Sequence, residues 1–382
     1  MRLEQIYPAV RKFVTHVTQI KQEQGYWVAL DESYFYPESG GQPADRGTLN
    51  GLVVHDVQLT DGIVWHQIDQ PIEGSVTGLV DDVVRTDHAA QHTAQHVISA
   101  ILQDEFNIKT LSFRTGSEES TLDIETDEWT AALQTRLEKR LRQVITSALP
   151  ITATEYDEAA ALALPLRKTP QVTGKIRVVQ IGELDYSACG GTHLESTADL
   201  ELIVLTGQER IRGNIRLMYV AKDRAFDLLA ANQRVLRETA QALSAKKERV
   251  AQAVEELKQD VVRLNRAVEL VQDAHIKAEL TQLLASSDDW IFVNHAEQHV
   301  SFSEKMVKAI ATADRVGLVW NEPAKKLLMQ GASSIHFGKF AKTHLKTFNG
   351  RGGGSEHVAQ AMFLTRDDAM AYIERMKEEQ SK

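Results

Sequence analysis

Arg85-Thr-Asp-His-Ala-Ala-Gln-His-Thr-Ala-Gln-His-Val-Ile-Ser-Ala-Ile-Leu102 is the stretch on which the fold turns. Val97, Ile98, Ile101 and Leu102 recur at helical spacing and Thr86 or Asp87 can cap the first turn, so the pattern predicts a helix. His88, His92 and His96 stand four residues apart on it. One helical turn separates neighbours, so the imidazoles share a face and two of them can converge on one ion. Far down the chain, Cys189-Gly-Gly-Thr-His193 holds the only cysteine and a histidine at the same spacing. His92, His96, Cys189 and His193 thus offer one sulfur and three nitrogens, a set suited to tetrahedral Zn2+. Gly190 and Gly191 are read as letting the backbone turn tightly beneath the two ligands. Each doublet alone reads as an ordinary solvated pair, and the metal motif lies in their combination. His88 is left as a polar neighbour.

The bulk of the sequence narrows the class. Its 382 residues leave room for two or three domains with their own cores. A net charge of −10 excludes indiscriminate nucleic-acid binding, so any RNA contact must be localised. A single cysteine excludes an intramolecular disulfide framework. The opening Met1-Arg-Leu-Glu-Gln-Ile-Tyr-Pro8 lacks the apolar core of a secretory leader, and no run has the length of a membrane span. A cytoplasmic protein without a membrane partner is expected.

An α+β multidomain chain emerges from the order of patterns. Residues 1–85 carry short alternating runs such as Tyr26-Trp-Val-Ala-Leu30 and Gly62-Ile-Val-Trp-His66, as in a small antiparallel β-domain. Within them Gly40-Gly41 and the flanking prolines fix a turn that presents Gln42, or else form a plain hairpin turn. Residues 86–222 alternate helix and strand: the histidine helix, strands near 111–113 and 121–124, a helix over 127–148, and strands near 151–155, 176–181, 200–205 and 215–220. Residues 223–287 repeat every seven, through Leu229, Leu236, Leu243, Val250, Leu257, Leu264 and Val271. Lys247 breaks the companion series, so one long helix and a bend near 244–248 are both open. The segment is a spacer, a dimer seam or both. Residues 288–382 read strand, helix, strand, a basic glycine-rich segment and a closing helix from Arg366. In that segment Lys339, Lys342, Lys346 and Arg351, with Gly352, Gly353, Gly354 and two aromatics, suit a phosphate backbone with adjacent stacking, or a solvated loop.

Taken together, Phe35-Tyr-Pro-x-x-Gly-Gly-Gln-Pro-x-Asp-x-Gly47, His92-Thr-Ala-x-His96, Cys189-Gly-Gly-Thr-His193, Gly350-Arg-Gly-Gly-Gly-Ser355 and, more softly, Leu164-Pro-Leu-Arg-Lys168 give the chain a resemblance. It resembles the free-standing alanyl-tRNA editing proteins, the AlaX class, in the long form carrying the C-terminal domain of alanyl-tRNA synthetase. The resemblance implies a zinc-containing editing core that deacylates tRNA(Ala) mischarged with serine or glycine, and a C-terminal domain that binds tRNA. A homodimer through the spacer or that domain also follows from it. It implies zinc ligation by His92, His96, Cys189 and His193, a place for Gln42 in the editing pocket, and recognition of the serine hydroxyl at Ser33, where the family pattern has threonine. Gly40, Gly41 and Thr192 are the expected substrate-binding neighbours. Ile215-Arg-Leu-Met-Tyr-Val-Ala-Lys222 departs from the family's paired arginines and closing glycine.

Chemistry points the same way. An aminoacyl ester is activated, so its hydrolysis needs a placed water and charge stabilisation rather than a strong base. Thr93 stands where a zinc protease carries glutamate, and no Gly-x-Ser-x-Gly elbow is present. Four protein ligands would close a zinc site, so metal activation of water would need one of them, such as His193, to leave. The rival expectation is a non-catalytic tRNA-binding or assembly protein stabilised by zinc.

Overall fold

Strand patterning in the first eighty residues becomes one seven-stranded antiparallel sheet. A computed structural model describes residues 2–170 and 174–380. In spatial order the strands are Leu52–Val54, Gly47–Leu49, Ser75–Val80, Lys12–Gln22, Tyr26–Leu30, Ile63–Ile68 and Asp56–Thr60. Phe13, Val28, Phe35, Leu49, Val54, Val57 and Ile68 form its buried core.

The histidine helix runs from Asp82 to Phe106. It starts a turn before Thr86 because the Asp81 carboxylate accepts the N–H groups of Val83 and Val84, the orphan donors of a first turn. Asn107, at φ 55°, ends it in the left-handed conformation. One face, Ala94, Val97, Ile98, Ile101 and Leu102, packs on a four-stranded antiparallel sheet and on the helix Ala131–Thr146. The sheet order is Ile203–Ile211, Asn214–Ala221, Ser120–Ile124, Thr110–Thr115. Each fully buried aliphatic side chain there contributes ~1.5–3 kcal/mol. The strand expected from residue 200 begins at Ile203, because Ser196 caps a short 3-10 turn over Thr197–Leu200. A separate three-stranded sheet, Ile151–Asp157, Lys175–Ile181 and Asp185–Ala188, carries the cysteine loop off its last strand.

Contacts divide the chain into Met1–Glu238 and Thr239–Lys382. The heptad region is two helices, Asp223–Ala242 and Val250–Leu283, interrupted at Ser244, whose φ is 50°. Lys247 lies in the interruption, where its charge meets no apolar seam. Val254, Leu257, Val261, Leu264, Val268 and Val271 on the second helix are exposed. The last unit holds a five-stranded sheet in the order Trp290–His295, Val316–Asn321, Lys326–Gln330, Val358–Met362, Arg351–Gly354, in which only the first pair is parallel.

A buried ion pair ties the start of the histidine helix to the turn-bearing segment before it. Arg85 Nε lies 2.9 and 3.0 Å from the two Asp45 oxygens, its Nη2 also reaches Asp45, and both residues are inaccessible to water. Tyr36 N–H donates to Asp45 at 2.6 Å and Arg85 Nη2 donates to Tyr34 O at 2.8 Å. Removing the cation strands a buried carboxylate, which costs ~3–5 kcal/mol. Arg85→Met should therefore lower unfolding stability by about that amount in denaturant titrations, with part regained in Arg85→Met/Asp45→Leu; a loss under ~1 kcal/mol would show the pair to be dispensable.

Candidate metal centre and active-site cleft

His92 and His96 project from the face of the helix opposite its packed side, toward the cysteine loop. One ligand atom from each of His92, His96, Cys189 and His193 lies within 4.8 Å of all the others. Cys189 Sγ is 3.5 Å from His92 Nε2 and 3.4 Å from His193 Nε2. Ideal tetrahedral zinc, with bonds of ~2.3 Å to sulfur and ~2.05 Å to nitrogen, has S···N edges of about 3.6 Å, so the donors stand at ligand spacing. His88 is outside this cluster; its Nδ1 is buried without a partner.

The far nitrogen of every imidazole is engaged. Gln42 Oε1 accepts the Thr192 backbone N–H at 3.0 Å, which fixes the amide's orientation. The same oxygen, 2.9 Å from His92 Nδ1, must therefore accept a proton from it, leaving the His92 Nε2 lone pair for an ion. His96 Nδ1 donates to Asp185 at 2.7 Å, and Arg167 backs that carboxylate at 2.5 Å while forking onto Asp104. His193 Nδ1 meets Thr93 Oγ1 at 3.2 Å. Partners of this kind orient metal-binding histidines and raise their basicity.

Protonation follows the crowding. Burial would raise the Cys189 thiol, but His92 and His193 beside it outweigh that and hold it well below its ordinary range. Burial also opposes charge on His96, yet the bonds to Asp185 and Cys189 push it up to about 10. His193, buried and next to His92, is pushed down to about 3.

Gly191 is required by close approach, not by a left-handed turn. Neither it nor Gly190 has positive φ, but a Cβ on Gly191 would lie 2.2 Å from His92 and 2.8 Å from Gln42 Oε1. Gly40 and Gly41 do have positive φ, 56° and 83°, closing the Ser39–Gln42 turn. That turn sends Gln42 inward: it is wholly buried, and its Nε2 donates to Thr192 Oγ1 at 2.8 Å. Ser33 lies apart from it, in the loop that follows the strand Tyr26–Leu30. His66 Nδ1–H donates to Val28 O, so His66 Nε2 accepts the Ser33 hydroxyl at 2.8 Å; burial pushes His66 down to about 4.

His92, His96 and Cys189 line a cleft of about 760 Å³ together with Phe113, Arg167, Lys168, Arg177 and Gly40, whereas His193 is not part of that lining. Phe113 stacks on His92, ring centroids 5.2 Å apart. Ser33, Gln42 and Thr192 are not among the residues lining it. Sequence reasoning gave no role to Asp185, Thr93, Arg167 or Arg177. A carboxylate four residues before the cysteine and the arginine of Leu164-Pro-Leu-Arg-Lys168 were the available signals.

In the second unit Lys339 and Lys342 are exposed on the helix Phe337–His344, Lys346 on the following 3-10 turn, and Arg351 on the edge strand with Gly352, Gly353 and Gly354. The stretch is therefore ordered rather than a loop. The expected stacking partners are absent from its surface, because Phe340 is core and Phe348 packs edge-on against Tyr372.

Two family profiles match the chain: "Threonyl and Alanyl tRNA synthetase second additional domain" over residues 176–219 and "tRNA synthetases class II (A)" over residues 3–86. An alanine–tRNA ligase of Methanopyrus kandleri is 30% identical over 87% of this chain and 39% of its own length. The alanyl-tRNA editing protein AlaX-L of Pyrococcus horikoshii is 32% identical over 53% of each chain. The alanyl-tRNA editing protein Aarsd1-B of Xenopus laevis is 25% identical over 89% of this chain and 87% of its own. The chain thus spans about half or less of the length of the first two relatives.

Displacement of the His96 proton makes metal binding pH-dependent. Because the folded value lies above the working range, apparent zinc affinity should rise ~tenfold per pH unit between pH 7 and 9, one proton being released per ion. Competition with a chelator across that range measures the slope; a flat profile would contradict the assignment.

Proposed function

The chain is a relative of the alanyl-tRNA editing proteins, and from that kinship we propose that it is a trans-editing hydrolase. Its substrate in this reading is tRNA(Ala) mischarged with serine, and with glycine as a second wrong amino acid. The observation that carries the reading is the four-donor centre, three of whose donors, His92, His96 and Cys189, stand in the wall of a cationic cleft.

Zinc is the metal we assign to His92, His96, Cys189 and His193, and with one of the four, such as His193, displaced it would polarise the ester and orient it. The protein's own groups prepare the place. Gln42 and Asp185 hold the two helix imidazoles in their ligating tautomers, and Phe113 packs on His92. Gly40 and Gly41 keep the Gln42 turn close to the cleft.

Discrimination against alanine requires a group that bonds the serine hydroxyl, since a site left with an unpaired polar group rejects the smaller analogue by as much as ~10⁴-fold. We assign Ser33, Gln42 and Thr192 to the support of that pocket, none of them being among the residues that line the cleft. Gln42 and Ser33 are already bonded, to Thr192 and His92 and to His66, so both would act as positioning residues that fix the pocket's shape. A second reading, in which the metal only braces helix against loop, is favoured by the fact that all four donors converge and leave no open position.

Deacylation of seryl-tRNA(Ala) separates the two. The editing reading expects hydrolysis that disappears with a chelator and returns with zinc, and Ser33→Ala, which breaks the bond to His66, is expected to lower serine-over-alanine selectivity through the pocket's shape, by about tenfold for that one hydrogen bond. A folded, metal-loaded protein that leaves seryl-tRNA(Ala) intact would establish the bracing role instead.

The exposed cations of the second unit are assigned to the tRNA backbone. Replacing Lys339, Lys342 and Lys346 by glutamine should weaken tRNA binding and cut the slope of log K against log salt by ~2–3. An unchanged slope would remove them from the interface.

A further inference from the structure

The cleft beside the metal centre is cationic in a chain whose net charge is −10. Most of that charge is already answered. Arg167 is forked between Asp104 and Asp185, Lys175 reaches Glu155 at 3.4 Å, and Lys168 donates to Thr110 O. Among the described residues Asp185 is the one acidic residue lining the cleft, and it is committed to His96 and Arg167.

Two guanidinium groups differ. Arg177 Nη1 donates to the carbonyls of Cys189 and Gly191 at 2.7 and 3.1 Å, its Nε is buried with no acceptor, and among the described residues no carboxylate pairs with it. Arg2 bonds Glu4 at 2.5 Å, yet its Nη2 is likewise buried without an acceptor among the described residues, and its guanidinium lies over the Tyr36 ring. Gln5 Nε2 donates to Gly190 O at 2.8 Å, so the segment bearing Arg2 is pinned to the loop that Arg177 braces. Both arginines line the cleft, side by side with Cys189, Gly190 and Gly191.

Partly desolvated cations short of acceptors are costly unless an anion completes them. Guanidinium forks match phosphate oxygens. An aminoacyl-tRNA brings no anion on its amino acid, whose free amine is cationic, but the nucleoside carrying the ester is joined to the chain by a phosphodiester. We propose that Arg2 and Arg177 seat this terminal phosphodiester and so set the ester against the metal centre. The proposal rests on the editing reading for the identity of the ligand, while the phosphate seat is testable without it.

The full, zinc-loaded chain is titrated calorimetrically with adenosine and with adenosine 5′-monophosphate. The nucleotide should bind about tenfold or more tightly, the worth of one charge-assisted hydrogen bond. Arg2→Gln and Arg177→Gln should each bring the ratio toward one, and Arg177→Lys should regain part of it. Equal binding of the two ligands by the unaltered protein, or a ratio that survives Arg2→Gln, would overturn the seat. Zinc content is measured alongside: if Arg177→Gln sheds its metal, Arg2→Gln decides alone, since its bonds do not touch the loop carbonyls. Deacylation of seryl-tRNA(Ala) is followed in parallel. A phosphate preference without deacylation sinks the editing reading and leaves the seat; deacylation without the preference does the reverse.

Discussion

Convergence of four side chains from two distant segments is the constraint on which the first unit depends. His92 and His96 come from a helix packed on one sheet, while Cys189 and His193 come from a loop leaving another, and their donors close to within 4.8 Å. Bringing a thiol and three imidazoles together without an ion is unfavourable unless protons and hydrogen bonds are arranged around them. The hydrogen bonds are visible: Gln42, Asp185 and Thr93 each meet a far nitrogen. Fold and site are therefore one problem, because the groups that place the four donors, such as Thr93 on the helix accepting the Leu194 N–H, also tie the cysteine loop to the helix.

The same economy explains the turn that carries Gln42. The Asp45–Arg85 pair anchors its far side to the helix that bears the histidines. The amide oxygen of Gln42 bridges His92 and the loop at Thr192. Three segments far apart in sequence thus meet at one carboxamide. A side chain can matter to chemistry without facing substrate when it fixes a tautomer.

Much of this was legible beforehand. Four-residue spacing of histidines on an amphipathic helix, and a cysteine and histidine at the same interval, named the cluster that the fold assembles. Helix periodicity and strand alternation located most elements to within a few residues. What escaped was set by tertiary context. Asp81, and not the expected Thr86 or Asp87, took the cap because its carboxylate reaches two early N–H groups. Lys326–Gln330 and Val358–Met362 are strands only because neighbours in the sheet supply their ladders. The basic segment around Lys339 resembled a loop, yet Phe337, Phe340 and Ala341 give it a buried helical face. Gly191 looked like a turn residue, and only the nearby imidazole reveals why a Cβ cannot be there.

X-ray absorption at the zinc edge of the purified, metal-loaded protein tests the central claim most directly. The spectrum should fit one sulfur at ~2.3 Å and three nitrogens at ~2.0–2.1 Å, and Cys189→Ser should remove the sulfur scatterer. A shell of oxygen ligands, or a sulfur signal unchanged in that variant, would contradict the placement of the ion among His92, His96, Cys189 and His193.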